Sequence, residues 1–292
     1  MKLSSLCPAP CFPSAPAFEV PKPGCGAADL KFGHDGGRDF YAVLLRNHVP
    51  EALPRLNPKL AIVGLSPAGN QIAEFLHGYL RTGDYGKASV AGAFAGLAGS
   101  IIAMFAGLGL TAKLGLHFSR PDSLAGHPDI LGTSLVACAT LDTSGGSDAF
   151  DPRRSAAASR CITLRLPTEL TNPAFDRLSH VVVLGREAWT ALDSLRTADG
   201  MSVLGHLRSI GKQVINLPHP SGQNGEFVAL ASLPASRVPN IDAYVAEKWE
   251  EYRQKPPRPG RVKEPEAKYK AKRRAVWQAV KAIRNEIERG SS

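Results

Sequence analysis

Four short, almost wholly apolar runs punctuate the chain, each bounded by turn residues. KLAIVGL, Lys59 to Leu65, ends in SPAGN; DILGTSLVACATL, Asp129 to Leu141, contains a second strand; HVVVLG, His180 to Gly185, and KQVINL, Lys212 to Leu217, supply a third and a fourth. Runs without polar alternation suit parallel strands covered on both faces. Between them the spacing becomes helical. REAWTALDSLR, Arg186 to Arg196, places Trp189, Leu192 and Leu195 on one face, and CITLRLPTELTNPAF, Cys161 to Phe175, includes a helix broken at Pro167. Residues 26–58 read as a connecting segment with a short helix near Phe40 to Leu45.

The order strand, helix, strand, helix, strand, helix, strand predicts a three-layer αβα fold with a central, mostly parallel four-stranded sheet. Beyond Pro239, NIDAYVAEKWEEYRQ reads as a surface helix with Ile241, Tyr244, Val245, Trp249 and Tyr252 at helical spacing. A linker, QKPPRPGRVKEP, leads to a last helix whose seam is Val276, Val280, Ile283 and Ile287. The expected organisation is an irregular N-terminal segment (1–58), an α/β core (59–235) and a helical basic C-terminal extension (236–292). Ser89 to Ala112 is uncharged and long enough to cross a bilayer. It is rich in Gly and Ala and lies between two strands, so it is read as core helices and no membrane partner is expected.

Charge changes this picture in one place. The 292 residues carry a net charge of +9. Lys248 to Ser292 holds 14 Lys and Arg against 6 Asp and Glu, a net of +8, so the remainder is nearly neutral. A basic segment is the footprint of contact with a polyanion or of a solvated helix. No signal peptide is evident at the N-terminus, and a cytoplasmic monomer is expected. The five cysteines are then free thiols or metal ligands.

Ligands of open α/β sheets bind outside the carboxyl ends of the strands. GLSPAGNQ follows the first strand, with Gly64 allowing close backbone approach, and ATLDTSGG follows the second. LPHPSGQN, Leu217 to Asn224, follows the fourth: two prolines hold His219 in a stiff loop ahead of Ser221, Gly222, Gln223 and Asn224. RTGDYGK, Arg81 to Lys87, adds Asp84, an acid that could direct a water or oppose a developing cation, or simply occupy a turn.

VGLSPAGN, RTGD, VVVLGREAW and HPSGQN occur in that order. Together they resemble the motifs of the uracil-DNA glycosylase superfamily, most closely its fifth, iron–sulfur-containing family, over roughly Cys7 to Leu230. The resemblance implies a monofunctional glycosylase that hydrolyses the N-glycosidic bond of uracil in DNA and leaves an abasic site. By position, Gly64, Leu65, Ser66, Pro67, Ala68, Gly69 and Asn70 would bind the flipped base and its water. Asp84 would activate water or stabilise the sugar cation, and His219 would hydrogen-bond the uracil O2. Ser221, Gly222, Gln223 and Asn224 would enter the DNA groove. Four cysteines, Cys7, Cys11, Cys138 and Cys161, could hold a [4Fe–4S] cluster, with Cys25 as a substitute.

The chain departs from the family pattern at several positions. Ser66 stands where related families carry Asn or Asp, which shifts the acid's role to Asp84. Ser134 stands where a pyrimidine-reading Asn is usual, and Asn70 or backbone groups would have to substitute. Arg81 replaces a stacking aromatic, a role left to Tyr85, with Tyr79 and Phe75 as further candidates. The serines at 66 and 134 keep open an alternative on the same fold, a binder of uracil or other deaminated bases without turnover. A third reading is an unrelated α/β enzyme acting on a small nucleoside or phosphate.

Overall fold

The computed structural model describes residues 27–44, 56–67, 69–143, 150–257 and 262–290. Its strands are β1 Lys31–Asp35, β2 Arg38–Leu44, β3 Leu60–Gly64, β4 Ile130–Ser134, β5 Cys138–Asp142, β6 His180–Leu184 and β7 Gln213–Leu217. By its contacts the chain divides into two units, Met1–Gly99 with Phe118–His219 and Ser100–His117 with Pro220–Ser292. The first contains both sheets.

In that unit β4, β3, β6 and β7 lie side by side in this order as an all-parallel sheet flanked by helices. These strands are the four apolar runs. Leu60 to Val63 and Val181 to Val183 are fully buried, which is why the runs show no polar alternation. The chain begins at β3, steps outward to β4, then returns past β3 to β6 and β7. Parallel crossovers are right-handed, so this reversal sends the connections to both faces. It makes the carboxyl ends of β3 and β6 the point where neighbouring loops diverge.

The second sheet, β1-β2-β5, is antiparallel. Two expectations change here. The segment Phe40 to Leu45, expected as a helix, lies mostly in β2: Gly36 and Gly37 take φ of 58° and 75° and close a tight hairpin with β1. Asp129 to Leu141 holds two strands rather than one, because the chain turns at Leu135–Ala137 and sends β5 into the antiparallel sheet. The helix expected to break at Pro167 continues instead. Ala156–Arg160 passes through a π-helical turn, Cys161–Arg165, into Leu166–Leu170. The wider turn lies just ahead of the residue that cannot donate an N–H. Helix Arg186–Ser194 buries Leu192 of the expected face together with Ala188 and Ala191, while Trp189 and Leu195 are half-buried.

The uncharged stretch from Ser89 is divided among helices Tyr85–Gly92, Ala98–Gly107 and Leu110–Leu114. Among the described residues no helix is long and apolar enough to cross a membrane.

The second unit is helical. Gly107 sits against the end of helix Gly225–Ala231 so closely that an added Cβ would lie 2.2 Å from the Ala231 carbonyl oxygen. Helix Glu266–Arg289 buries Tyr269, Val280, Arg284 and Ile287. Trp277 Nε1 donates to the Pro239 carbonyl at 2.9 Å, and Arg284 donates to that of Leu233 at 2.5 Å. Much of the basic charge of this helix is met internally. Lys272 pairs with Glu264 at 2.6 Å, Arg273 with Glu226 at 2.9 Å, Arg274 with Asp242 at 2.6 Å, and Lys270 with Glu266.

Candidate functional site

Parallel pairing sets Gly64, the last residue of β3, opposite Ser134, the last of β4. A Cβ on Gly64 would stand 3.6 Å from Ser134 Oγ. The pairing continues past the strands: Leu135 N–H donates to Gly64 O at 2.8 Å and Val136 N–H to Leu65 O at 3.0 Å. The hydroxyl of Ser66 is turned to β5, 3.1 Å from Thr140 Oγ1. Pro67 is buried and Ala68 lies outside the described residues. Gly69, at φ 55° and ψ −123°, precedes helix Asn70–Thr82, whose first residue Asn70 is exposed.

Beneath this corner lies Arg165, only 1% exposed. Its guanidinium donates to the carbonyls of Ser134 and Leu135, to Thr133 Oγ1 at 3.3 Å and to Cys161 Sγ at 3.2 Å, and it pairs with Glu169. A buried cation with so many acceptors fixes the β4–β5 turn, because breaking any of these bonds would strand charge out of water. Nothing in the sequence motifs pointed to Arg165. A basic residue on a helix reads as solvated until the fold is known.

Strand β7 delivers His219 between Pro218 and Pro220, half-buried. Beside it Gly185 ends β6 at φ 101° and ψ 154°, with its N–H donating to Leu217 O at 2.8 Å. A side chain at Gly185 would be strained by this φ, and its Cβ would touch His219 Cβ at 3.5 Å and Glu187 Oε2 at 4.0 Å. His219 and Glu187 therefore flank the same glycine. Burial pushes the His219 pKa below its usual value, and the Glu187 carboxylate pulls it part of the way back. The imidazole is neutral at pH 7, with one N–H to donate and one nitrogen to accept. Glu187 was not among the sequence candidates. Its signal was its place in the first turn of the helix after β6.

Asp84 occupies a corner between two helices. Gly83, at φ 66°, ends Asn70–Thr82, and Asp84 caps Tyr85–Gly92. Its Oδ1 accepts the Lys87 N–H at 2.9 Å and its Oδ2 faces Lys87 Nζ at 3.2 Å. These two interactions hold its pKa below the usual carboxylate range. The carboxylate that acts on His219 is Glu187, not Asp84.

Tyr85 does not fit the stacking role expected of it. Its hydroxyl donates to Ala42 O at 2.8 Å and accepts from Leu44 N–H at 3.0 Å, tying the helix to β2. Its ring packs with Phe75 and Tyr79, and all three are buried. Ser221 leads into the turn Gly222–Asn224 of the second unit, where Gly222 and Gln223 are exposed.

Cys138 and Cys161 are both buried. Cys161 Sγ accepts the Ala137 N–H at 3.5 Å as well as the Arg165 bond, so its sulfur lies against the residue preceding Cys138. Cys7, Cys11 and Cys25 fall outside the described residues, and among those described no group of three or more metal-ligating side chains occurs.

The geometry offers a neutral N–H donor and a tightly stitched pair of loops at the carboxyl edge of a parallel sheet. Such a site can stabilise negative charge developing on a polar leaving group. No family model, curated protein or solved structure matches this chain.

Proposed function

We propose that the chain is a monofunctional DNA glycosylase that hydrolyses the N-glycosidic bond of uracil in DNA. The observation that carries this reading is His219: a neutral, half-buried imidazole beside Gly185, at the carboxyl end of β7. Breaking the bond between sugar and uracil leaves positive charge on the sugar and negative charge on the base. A neutral imidazole donates to the uracil O2 without first acquiring a proton, and a donor of this kind contributes about 3 kcal/mol. Water adds to the sugar and the base leaves. The base must first leave the stack, which calls for a snug pocket and a wedge. In this reading the residues that follow β3, Gly64 to Pro67, would contact the flipped base. Asp84 is ionised and supplies the charge that opposes the sugar cation.

In this proposal Cys138 and Cys161 would supply two thiolates of a [4Fe–4S] cluster, with Cys7 and Cys11 completing the set. Such a cluster would brace the N-terminal segment rather than enter the reaction.

One observation favours the second reading, a binder without turnover. Both carboxylate oxygens of Asp84 are engaged by Lys87, Oδ1 as the helix cap and Oδ2 in an ion pair. Labelled oligonucleotide carrying one uracil separates the two. Strand cleavage after alkali supports the glycosylase. A shifted but alkali-stable band supports the binder, and neither result would remove DNA from the account.

A further inference from the structure

The helical second unit contains a cavity of about 570 Å³ between helices Gly225–Ala231, Ile241–Gln254 and Glu266–Arg289. This volume is in the range of small-molecule sites. Its apolar wall includes Leu230, Leu233 and Pro239.

The polar groups lining it are unequally matched. Glu226 is fully employed: it accepts the Tyr244 hydroxyl at 2.6 Å and pairs with Arg273 at 2.9 Å. Burial and the Glu226 carboxylate raise the Tyr244 pKa, so that hydroxyl keeps its proton. Lys248 is shared by two acids, Glu251 at 2.8 Å and Glu247 at 3.3 Å, which leaves one negative charge in excess. Arg237 is the reverse case. It is exposed at the cavity, and among the described residues its guanidinium has no ion-pair or hydrogen-bond partner.

A second observation comes from Tyr269. It is 93% buried, its ring is stacked on Tyr252 at 4.2 Å, and the Arg273 guanidinium lies 4.2 Å from the ring centroid. With both neighbours in place the ring cannot turn away, yet its hydroxyl has no hydrogen-bond partner among the described residues. That hydroxyl belongs to a residue lining the cavity, so a bound molecule can accept its hydrogen bond.

We propose that this cavity binds a small zwitterion with an apolar body. The anionic end meets Arg237 and the Tyr269 hydroxyl. The cationic end meets the excess charge of Glu247 and Glu251, and the body covers Leu230 and Leu233. A simple anion would face that excess negative charge, and a simple cation would leave Arg237 and Tyr269 unmet. The proposal does not depend on the glycosylase reading, since no residue of the His219 site takes part.

L-tryptophan serves as the probe, titrated calorimetrically into the full chain, with indole-3-propionate and tryptamine lacking one charge each. Saturable binding of tryptophan is expected, at least about tenfold tighter than either analogue. Arg237→Ala, at an exposed turn, should reduce tryptophan to the level of tryptamine. Tyr269→Phe should weaken tryptophan and leave tryptamine unchanged. Absence of saturable binding up to about 10 mM would overturn the proposal. So would equal affinity for the three compounds, or unchanged affinity in Arg237→Ala.

Discussion

Asp84 holds a structural post and, in the proposed reaction, a chemical one; two substitutions separate them. As a cap it satisfies one helix N–H through Oδ1, at 2.9 Å from Lys87 N. Asn caps as well as Asp does, whereas Ala leaves that N–H without its partner and costs about 1 kcal/mol. The ion pair to Lys87 adds little. The two side chains are 40% and 79% exposed, and exposed pairs contribute at most about 1 kcal/mol, reduced by solvent screening. Asp84→Asn should therefore melt close to the parent at pH 7, and Asp84→Ala a few degrees lower. The pH dependence has a definite sign. The folded-state pKa is depressed below the ordinary 3.8. The carboxylate's stabilising contribution is thus present above that value and fades as pH falls through the folded pKa. Asp84→Asn loses this dependence. Single-turnover excision of uracil reads the chemical role. If the charge opposes the sugar cation, Asp84→Asn should lose on the order of 100-fold in rate despite its native stability. Excision at the parent's rate would show that Asp84 only caps a helix.

Glu187→Gln should lower the His219 pKa further, since the charge that raises it is removed; a proton NMR titration of the imidazole checks this without any substrate. Gly107→Ala should destabilise by about 1–3 kcal/mol, because its Cβ meets the Ala231 carbonyl at 2.2 Å; urea denaturation measures it. Gly185→Ala should cost about 1–3 kcal/mol of backbone strain at φ 101°, and it should perturb the His219 ring resonances because the new methyl touches that residue.

The parallel sheet could be read from the chain because both faces of its strands are buried, so the apolar runs are continuous and hard to mistake. β2 was missed for the opposite reason. RDFYAVL also fits a helix, and the deciding signal was the Gly36–Gly37 turn ahead of it, which closes a hairpin. His219 stood out because two prolines mark its loop. Its partner Glu187 did not, since an acid in the first turn of a helix has an ordinary electrostatic explanation. Tyr85 illustrates the limit of spacing. Its position suited stacking on a base, and only the hydrogen bonds to Ala42 and Leu44 reveal that its hydroxyl belongs to β2. The basic C-terminal segment reads equally as a polyanion-binding face or as a solvated helix, yet Arg273 and Arg274 find their acids on other helices, Glu226 and Asp242. Such pairings between segments distant in sequence leave no trace in local composition.

The central claim is that a neutral His219 donates to a uracil leaving from DNA. Its most direct test is single-turnover excision from a uracil-containing duplex by the parent and by His219→Ala, at equal protein concentration. The account predicts measurable excision by the parent and a loss of about 100-fold or more in the variant, with DNA binding retained. Equal rates in the two proteins, or no excision by the parent under any condition in which it binds the duplex, would contradict it.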